Sequence, residues 1–499
     1  MPRTTLPLLS KSRFTSGVQC LKRLYFQSYG PGLAGATTPA QEATFEVGTA
    51  VGELARDLFP GGLLIDEDYR HHTQAVTRTT ALIEAGKRIP LYEAAFTADS
   101  IRVRADIFVP AAGLAWDVIE VKSSTSVKEQ YIDDAAIQVY ALEHAGIAIA
   151  RVCIAYINTT YIYEGGAYDL AGLFTVEDIT DAARARLRTI PADLSTMRTM
   201  LDGDEPPVID IGPHCKSPYV CEFVEHCRSA EPPWPIDELP SIAAKKVDAF
   251  RASGIRSILD LPPSAALTTT QSRVRDVVRS GEPWRSADLA SAVTGFAYPI
   301  HFIDFETANP ALPRYLGTRP YQVFPFQWSD HVLDAQGNLT HGEFLATGED
   351  DPRAEFTLSL SRQLNGAGTV VVYSPYEQTQ LSKLRDDLPQ LREAIEAMLA
   401  IPRVDLLQVV RTHYYHPEFH GSFSLKSVLP AIAPGIGYGD LAIKDGGTAA
   451  AQFLESLDTP DAAERADIRA NLLAYCARDT EAMVHTLNAL IAASRLPSQ

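Results

Sequence analysis

The chain has 499 residues, 46% hydrophobic and 21% charged. That is the balance of a globular protein too long for one ordinary core, so two or three domains are expected. A formal net charge of −18 excludes a protein that coats nucleic acid by bulk electrostatics. It leaves open an enzyme that touches phosphate locally and carries metal-binding carboxylates. No apolar run reaches membrane-spanning length, and the N-terminus MPRTTLPLLSKSRF is basic without an apolar stretch long enough for secretion. A cytoplasmic protein with no membrane partner is expected. Basic residues gather at the N-terminus (Arg3, Lys11, Arg13, Lys22, Arg23) and again at Lys245, Lys246, Arg251, Arg256, Arg273, Arg275, Arg279 and Arg285. A solvated helix face and a phosphate-tracking surface both account for them.

Residues 1–230 mix short β-branched runs with helical patterns. Asp106 lies in the strand pattern IRVRADIFV, and Glu120 and Lys122 lie in a second one, IEVKSS. Pairing of these strands sets Asp106 beside Glu120 and Lys122, which share one face while Val121 points to the other. Two carboxylates suit Mg²⁺, and the Lys122 ammonium suits a hydroxide nucleophile or a charged phosphate intermediate. A surface hairpin with a salt bridge is the plain alternative. The arrangement resembles the PD-(D/E)XK nuclease fold, in particular its RecB-like branch. There a helix after the lysine strand carries a glutamine and a tyrosine; AAIQVYALEHAG offers Gln138 and Tyr140, of which Gln138 is favoured because residues two apart on a helix face different directions. TFEVGTAVGELARDLF matches the family's first helix, with Gly52 where some members carry a metal-binding histidine. The resemblance then implies either Glu53 as a substitute ligand or a metal held with one ligand fewer.

Six cysteines occur, three of them at intervals of six in HCKSPYVCEFVEHC: Cys215, Cys221 and Cys227. Cys153 and Cys476 sit in apolar patterns and read as ordinary buried thiols. A disulfide framework is not expected in a cytosolic protein, so the trio reads as a metal or cluster site. Cys20 completes a set of four. This resembles the iron–sulfur members of the RecB-like branch, the CRISPR-adaptation and AddB-type nucleases, and implies a 4Fe-4S cluster stapling the nuclease core. The C-x5-C-x5-C spacing differs from their shorter step and leaves Zn²⁺ as the alternative, with His214 and His226 as further ligands.

EPPWPIDELP, residues 231–240, carries four prolines and reads as a linker. Residues 241–295 read as helical. FRASGIRSILDLP resembles one helix–hairpin–helix unit, with Gly254 at the turn between Arg251 and Arg256; a plain helical connector is as consistent with it.

From residue 297 onward strand and helix patterns alternate. HFIDFET, residues 301–307, places Asp304 and Glu306 on one face of a strand. VVVYSPYEQTQLSKL, residues 370–384, reads as a buried strand, a turn at Pro375 and a helix opening with Glu377. YCARDT, residues 475–480, sets Tyr475 and Asp479 on one helix face. Carboxylates brought together in this way repel unless a divalent cation neutralises them, and hard oxygen ligands favour Mg²⁺ or Mn²⁺, whose usual partner is phosphate. Two cations about 3.5–4 Å apart clamp a scissile phosphate, with Tyr475 orienting the attacking water. The three motifs resemble those of the DEDD exonucleases, DnaQ-like enzymes with an RNase H-like fold. Glu377 stands where aspartate is commoner, without the asparagine that often precedes it. Asp405 in VDLLQVV reads as a helix N-cap. Lys426 in FHGSFSLKSVLPAI fits either a substrate groove or a packed helix with a serine cap.

The chain as a whole resembles a bacterial family of unknown function that joins the two modules. The resemblance implies an α/β protein: a restriction-endonuclease-like domain (1–230), a helical connector (231–296) and an RNase H-like exonuclease domain (297–499). It also implies a phosphodiester hydrolase acting on DNA single strands or ends. Two alternatives stay open: the first module is an inactive nucleic-acid clamp, or the enzyme trims RNA.

Overall fold

The computed structural model describes residues 6–348 and 350–496. Arg3 lies outside the described residues. The chain is mixed α/β and divides into two compact units, residues 1–230 with 311–321, and residues 231–310 with 322–499. Among the described residues, no helix is long and apolar enough to cross a membrane.

The first unit is built on one sheet. Its strands are β1 (Leu9–Ser10), β2 (Leu63–Leu64), β3 (Leu91–Ala98), β4 (Ile101–Pro110), β5 (Trp116–Lys122), β6 (Ile149–Ile157) and β7 (Phe174–Asp178). They are ordered β2-β3-β4-β5-β6-β7, with β1 pairing β4. Strands β3, β4 and β5 form an antiparallel meander, and β6 runs parallel to β5. A parallel neighbour needs a crossover, and the helix Glu129–His144 supplies it. That helix buries Ala135, Ala136, Ile137, Val139, Ala141 and Leu142 in the main core, where small alanines let it lie close to the sheet. In β4 the period-two pattern is plain: Ile101, Val103 and Ala105 are buried, while Arg102, Arg104 and Asp106 between them are half-buried. Strand β5 is buried on both faces almost to its end. Residues 311–321, although late in the sequence, belong to this unit, and Ala311 is buried with Val51, Ala55 and Ile119.

The second unit has a different sheet. A two-stranded ribbon pairs β8 (Trp284–Arg285) with a later strand. The main sheet contains β9 (Ile300–Ala308), β10 (Phe324–Leu333), β11 (Leu339–Leu345), β12 (Thr369–Val372) and β13 (Arg403–Asp405). The partner of β8 is β14 (Tyr414–Tyr415). The main order is β11-β10-β9-β12-β13, with β10 antiparallel to β9 and β11, β12 parallel to β9, and β13 parallel to β12. The helix Ala462–Ser494 crosses β9 and β10. Gln327 on β10 donates to the Leu472 carbonyl of that helix at 2.8 Å.

The expected linker is a packed part of this unit. Ile236 is fully buried and Leu239 nearly so, in one core with Phe302, Val371 and Leu487. Backbone bonds run from Ile236 N to Arg256 O and from Ile258 N to Trp234 O, both 2.8 Å. The prolines set turns, but the interleaved apolar residues decide the outcome. The helical connector likewise belongs to this unit, so the three-part division gives way to two units. After the helix Ala244–Ala252 the chain turns at Gly254 (φ 81°), and the next α-helix begins only at Thr269. Arg251 pairs with Asp237 at 3.3 Å and Arg256 with Glu231 at 3.1 Å, so acids already hold both arginines of the supposed hairpin.

Ile236→Ala is expected to cost about 2–5 kcal/mol, the range for a truncated core aliphatic. Urea unfolding checks this; a flexible linker would lose next to nothing.

Two carboxylate centres and a cysteine pocket

In the second unit β9 carries Asp304 and Glu306 two residues apart, both facing one side, with Glu306 buried. The chain leaves β12, turns through residues 373–375 and enters the helix Tyr376–Asp387 with Glu377 in its first turn. A 2.6 Å hydrogen bond between the Thr307 and Tyr376 hydroxyls ties that helix start to β9. The helix Ala462–Ser494 presents Tyr475, Cys476 and Asp479. The Cys476 sulfur lies 3.7 Å from both the carbonyl oxygen and the Oδ2 of Asp304. Candidate ligand atoms of Asp304, Glu306 and Cys476 all fall within 4.8 Å of one another.

The electrostatics are those of crowded like charge. Burial, then Asp479, Glu306 and Glu377, pushes the Asp304 carboxyl well above the ordinary range. Burial and Asp479 do the same to Glu306, with Lys426 opposing. Burial pushes Glu377 up to about 7. Asp479 is raised by burial, offset in part by a hydrogen bond from the Tyr438 hydroxyl. Burial and the neighbouring Asp304 raise the Cys476 thiol, so it stays protonated and donates rather than ligating. Lys426 opposes the rise at both Glu306 and Asp479, and its ammonium donates to the Tyr475 hydroxyl at 3.0 Å and to the Lys444 carbonyl at 2.5 Å. One oxygen of Glu377, Oε2, is buried without any hydrogen-bond partner. Glu377 acts electrostatically on Asp304 and Glu306, while its ligand atoms and those of Asp479 fall outside the 4.8 Å group; an orphaned carboxylate oxygen facing two other acids fits a hard divalent cation.

Two nearby elements settle readings left open by the sequence. Asp405 caps the helix Leu406–His413, accepting from Gln408 N at 3.1 Å, as the capping reading expects. Ser424 occupies the cap position before Lys426 without a capping side-chain bond; its hydroxyl meets that of Ser427. Lys426 therefore reaches the acid cluster, not merely the surface of a packed helix.

In the first unit Ile107 pairs with Ile119, and Asp106 and Glu120 are the next residues on the two strands. Asp106 accepts from Val121 N at 2.8 Å. Glu120 is buried and fully engaged: Gln138 donates at 2.5 Å, Lys11 at 2.6 Å and Lys122 at 2.7 Å. Lys122 also meets Asp134 at 2.5 Å. Burial opposes ionisation of Glu120, but the two ammoniums outweigh it and hold its carboxyl well below the usual range. Asp106 goes the other way, pushed up to about 7 by burial and Glu120. Tyr140 points elsewhere, donating to Asp99 at 2.9 Å. Glu53 is exposed on the helix Pro39–Arg56 and makes no hydrogen bond or ion pair with this cluster among the described residues; a side chain at Gly52 would enter open space. Lys11 and Asp134 are the members that sequence reading did not assign. Asp134 stands four residues before Gln138, the helical spacing that was available as a signal. Lys11, 109 residues from Glu120, gave none.

Cys20, Cys215, Cys221 and Cys227 line one small pocket, together with Lys22, Arg23, Phe26 and His214. Burial raises the Cys221 thiol to about 11, with Cys215 adding to the rise. His226 instead packs edge-on against Phe26. Among the described residues, no three of these side chains bring ligand atoms within 4.8 Å of one another, whereas zinc bonds of about 2.3 Å set tetrahedral sulfurs roughly 3.8 Å apart.

The model of a domain of unknown function (DUF2779) matches residues 301–424. That span includes Asp304, Glu306 and Glu377. No curated protein matches the chain. A solved structure titled "Crystal structure of SSO0001" aligns over 44% of this chain and 85% of its own, at 14% identity and a TM-score of 0.22, a likeness too low to carry an argument.

Because Glu377 titrates near 7 when folded and lower when unfolded, folding takes up a proton between those values, and its contribution to stability falls as pH rises through that window. In EDTA, Glu377→Gln is therefore expected to gain stability relative to the parent from about pH 4 to pH 7. At neutral pH, Mn²⁺ at a hundred times its Kd is expected to stabilise the parent by about 2.7 kcal/mol and the variant by less. Calorimetric melting with and without metal reads both.

Proposed function

We propose that the protein is a metal-dependent nuclease. The single observation behind this reading is the convergence of Asp304, Glu306, Glu377 and Asp479 from three elements in a buried to half-buried cluster, where burial raises every carboxyl despite Lys426 and Arg403. Divalent cations held there supply charge neutralisation for a scissile phosphate and a water acidified for attack. The chain's own groups do the rest. Asp304 and Glu306, fixed on a rigid strand, hold ligand oxygens on one face. Tyr438 orients Asp479 by its hydroxyl, and Lys426 fixes the Tyr475 hydroxyl over the cluster. Tyr475, raised by burial and Asp479, keeps its proton and positions water as a donor. The strand order with one antiparallel neighbour beside β9 agrees with the RNase H-like fold and DnaQ-like exonuclease that the motifs resemble, and 3′-end trimming of DNA is the activity this favours.

For the first unit we propose a RecB-like PD-(D/E)XK nuclease centre. Asp106 and Glu120 are its metal ligands, and Lys122 and Gln138 flank Glu120. An antiparallel meander followed by a crossover helix and a parallel strand supports this reading. Glu53, exposed on its helix, is not counted among the ligands in this reading. The competing reading, an inactive clamp, draws support from Glu120 being already saturated by two ammoniums and an amide. The four-cysteine pocket fits a 4Fe-4S cluster better than zinc, since its sulfurs are spread more widely than one zinc ion requires and Lys22 and Arg23 offset thiolate charge.

Asp304→Ala and Lys122→Ala, tested separately on end-labelled DNA and RNA strands with Mn²⁺, decide between these readings. Each loss of a working centre is expected to cost at least about a hundredfold. Cutting lost only with Asp304→Ala makes the first unit a clamp; faster digestion of RNA makes the enzyme an RNA trimmer. Anaerobically purified protein is expected to be brown, and Cys221→Ser colourless; stoichiometric zinc in a colourless parent removes the cluster.

A further inference from the structure

Beside the carboxylates of the first unit lies a cavity of about 580 Å³, within the range of ligand sites. Its charged lining is Lys11, Arg13, Arg102 and Arg104 against Glu93 and Asp106. In a chain of net charge −18 this is a local surplus of positive charge. The pattern of β4 explains one wall: Arg102, Arg104 and Asp106 alternate on the same face, so two guanidiniums lead along the strand to a carboxylate of the cleavage centre. Arg104 is tied down by the carbonyls of Ile65 and Glu67 and by Glu93. Arg13 bonds only weakly to the Leu8 and Gln27 carbonyls, at 3.3 and 3.5 Å. Arg102 makes no side-chain hydrogen bond or ion pair among the described residues, and is half-buried. Lys11, also in the lining, donates to Glu120 at 2.6 Å and so links the cavity to that carboxylate.

We propose that this cavity is the path by which one strand of nucleic acid reaches the Asp106–Glu120 centre, with Arg102 and Arg13 holding backbone phosphates. The assignment rests on the nuclease reading of that centre. A duplex is too wide for a space of this size. Guanidiniums not already committed to acids are available to backbone phosphate as positive charge, and contacts of this kind position the polymer without reading its sequence.

The test is fluorescence anisotropy of the full-length protein with a labelled single strand of about 12 nucleotides, in EDTA so that nothing is cut. Arg102→Glu and, separately, Arg13→Glu are each expected to weaken binding by roughly tenfold and to lower the salt slope by about one. Arg102→Lys is expected to keep most of the affinity. Unchanged affinity and slope in both charge reversals overturn the proposal. So does a single mononucleotide or inorganic phosphate competing as well as the strand at equal phosphate, since the cavity would then hold a lone anion. Failure of the underlying reading is separate: in an Asp304→Ala background with Mn²⁺, Lys122→Ala then makes no difference to cutting, while the metal-free binding result still stands or falls by itself.

Discussion

Four carboxyl groups, Glu306 and Glu377 buried and Asp304 and Asp479 half-buried, are held close enough to act on one another, and the second unit is organised around the elements that keep them there. Each sits on an element that the surrounding core immobilises: β9 lies in the middle of its sheet, the Glu377 helix is pinned to it by two hydroxyls, and the long C-terminal helix crosses both β9 and β10. Such a cluster is costly in the metal-free protein, because burial and mutual repulsion both favour the protonated, uncharged forms. The fold tolerates it by spreading partial relief over Tyr438, Lys426 and the Cys476 thiol, none of which neutralises the set. Clustered perturbed carboxyls of this kind are what functional sites and structural ion-pair networks have in common.

The first unit solves the same problem in the opposite way. Its three acids face two lysines, and Glu120 accepts from both. The two centres therefore differ in state before any ligand arrives. One is a set of carboxyls raised by burial and by one another; the other is an ion-paired knot in which ammonium groups already hold Glu120.

Much of this was legible in the sequence because the signals were local. Two acids at strand spacing, a tyrosine and an aspartate at helical spacing, and an acid just after a proline turn each fix a direction for a side chain once the element is recognised. Tyr438 was illegible as a site member because it lies in no helix or strand, and Lys426 was ambiguous because its helical pattern suits a packed helix as well as a groove; both reach the acids only through tertiary packing. Lys11 was visible only as one more basic residue near the N-terminus. The proline-rich stretch misled for a related reason. Pro232, Pro233, Pro235 and Pro240 punctuate it as they would a linker, yet Ile236 and Leu239 between them are drawn into a core whose other members lie far away in sequence.

The segment 311–321 interrupts the second unit between its first two main-sheet strands and is counted with the other half of the molecule. The polypeptide thus passes from one half to the other three times, after residues 230, 310 and 321. A scissors cut at residue 230 would not release two whole pieces, since the later fragment would carry off a strip of the earlier one's interior. Inheritance of the halves as a single indivisible gene product, rather than as shuffled cassettes, is what such threading enforces.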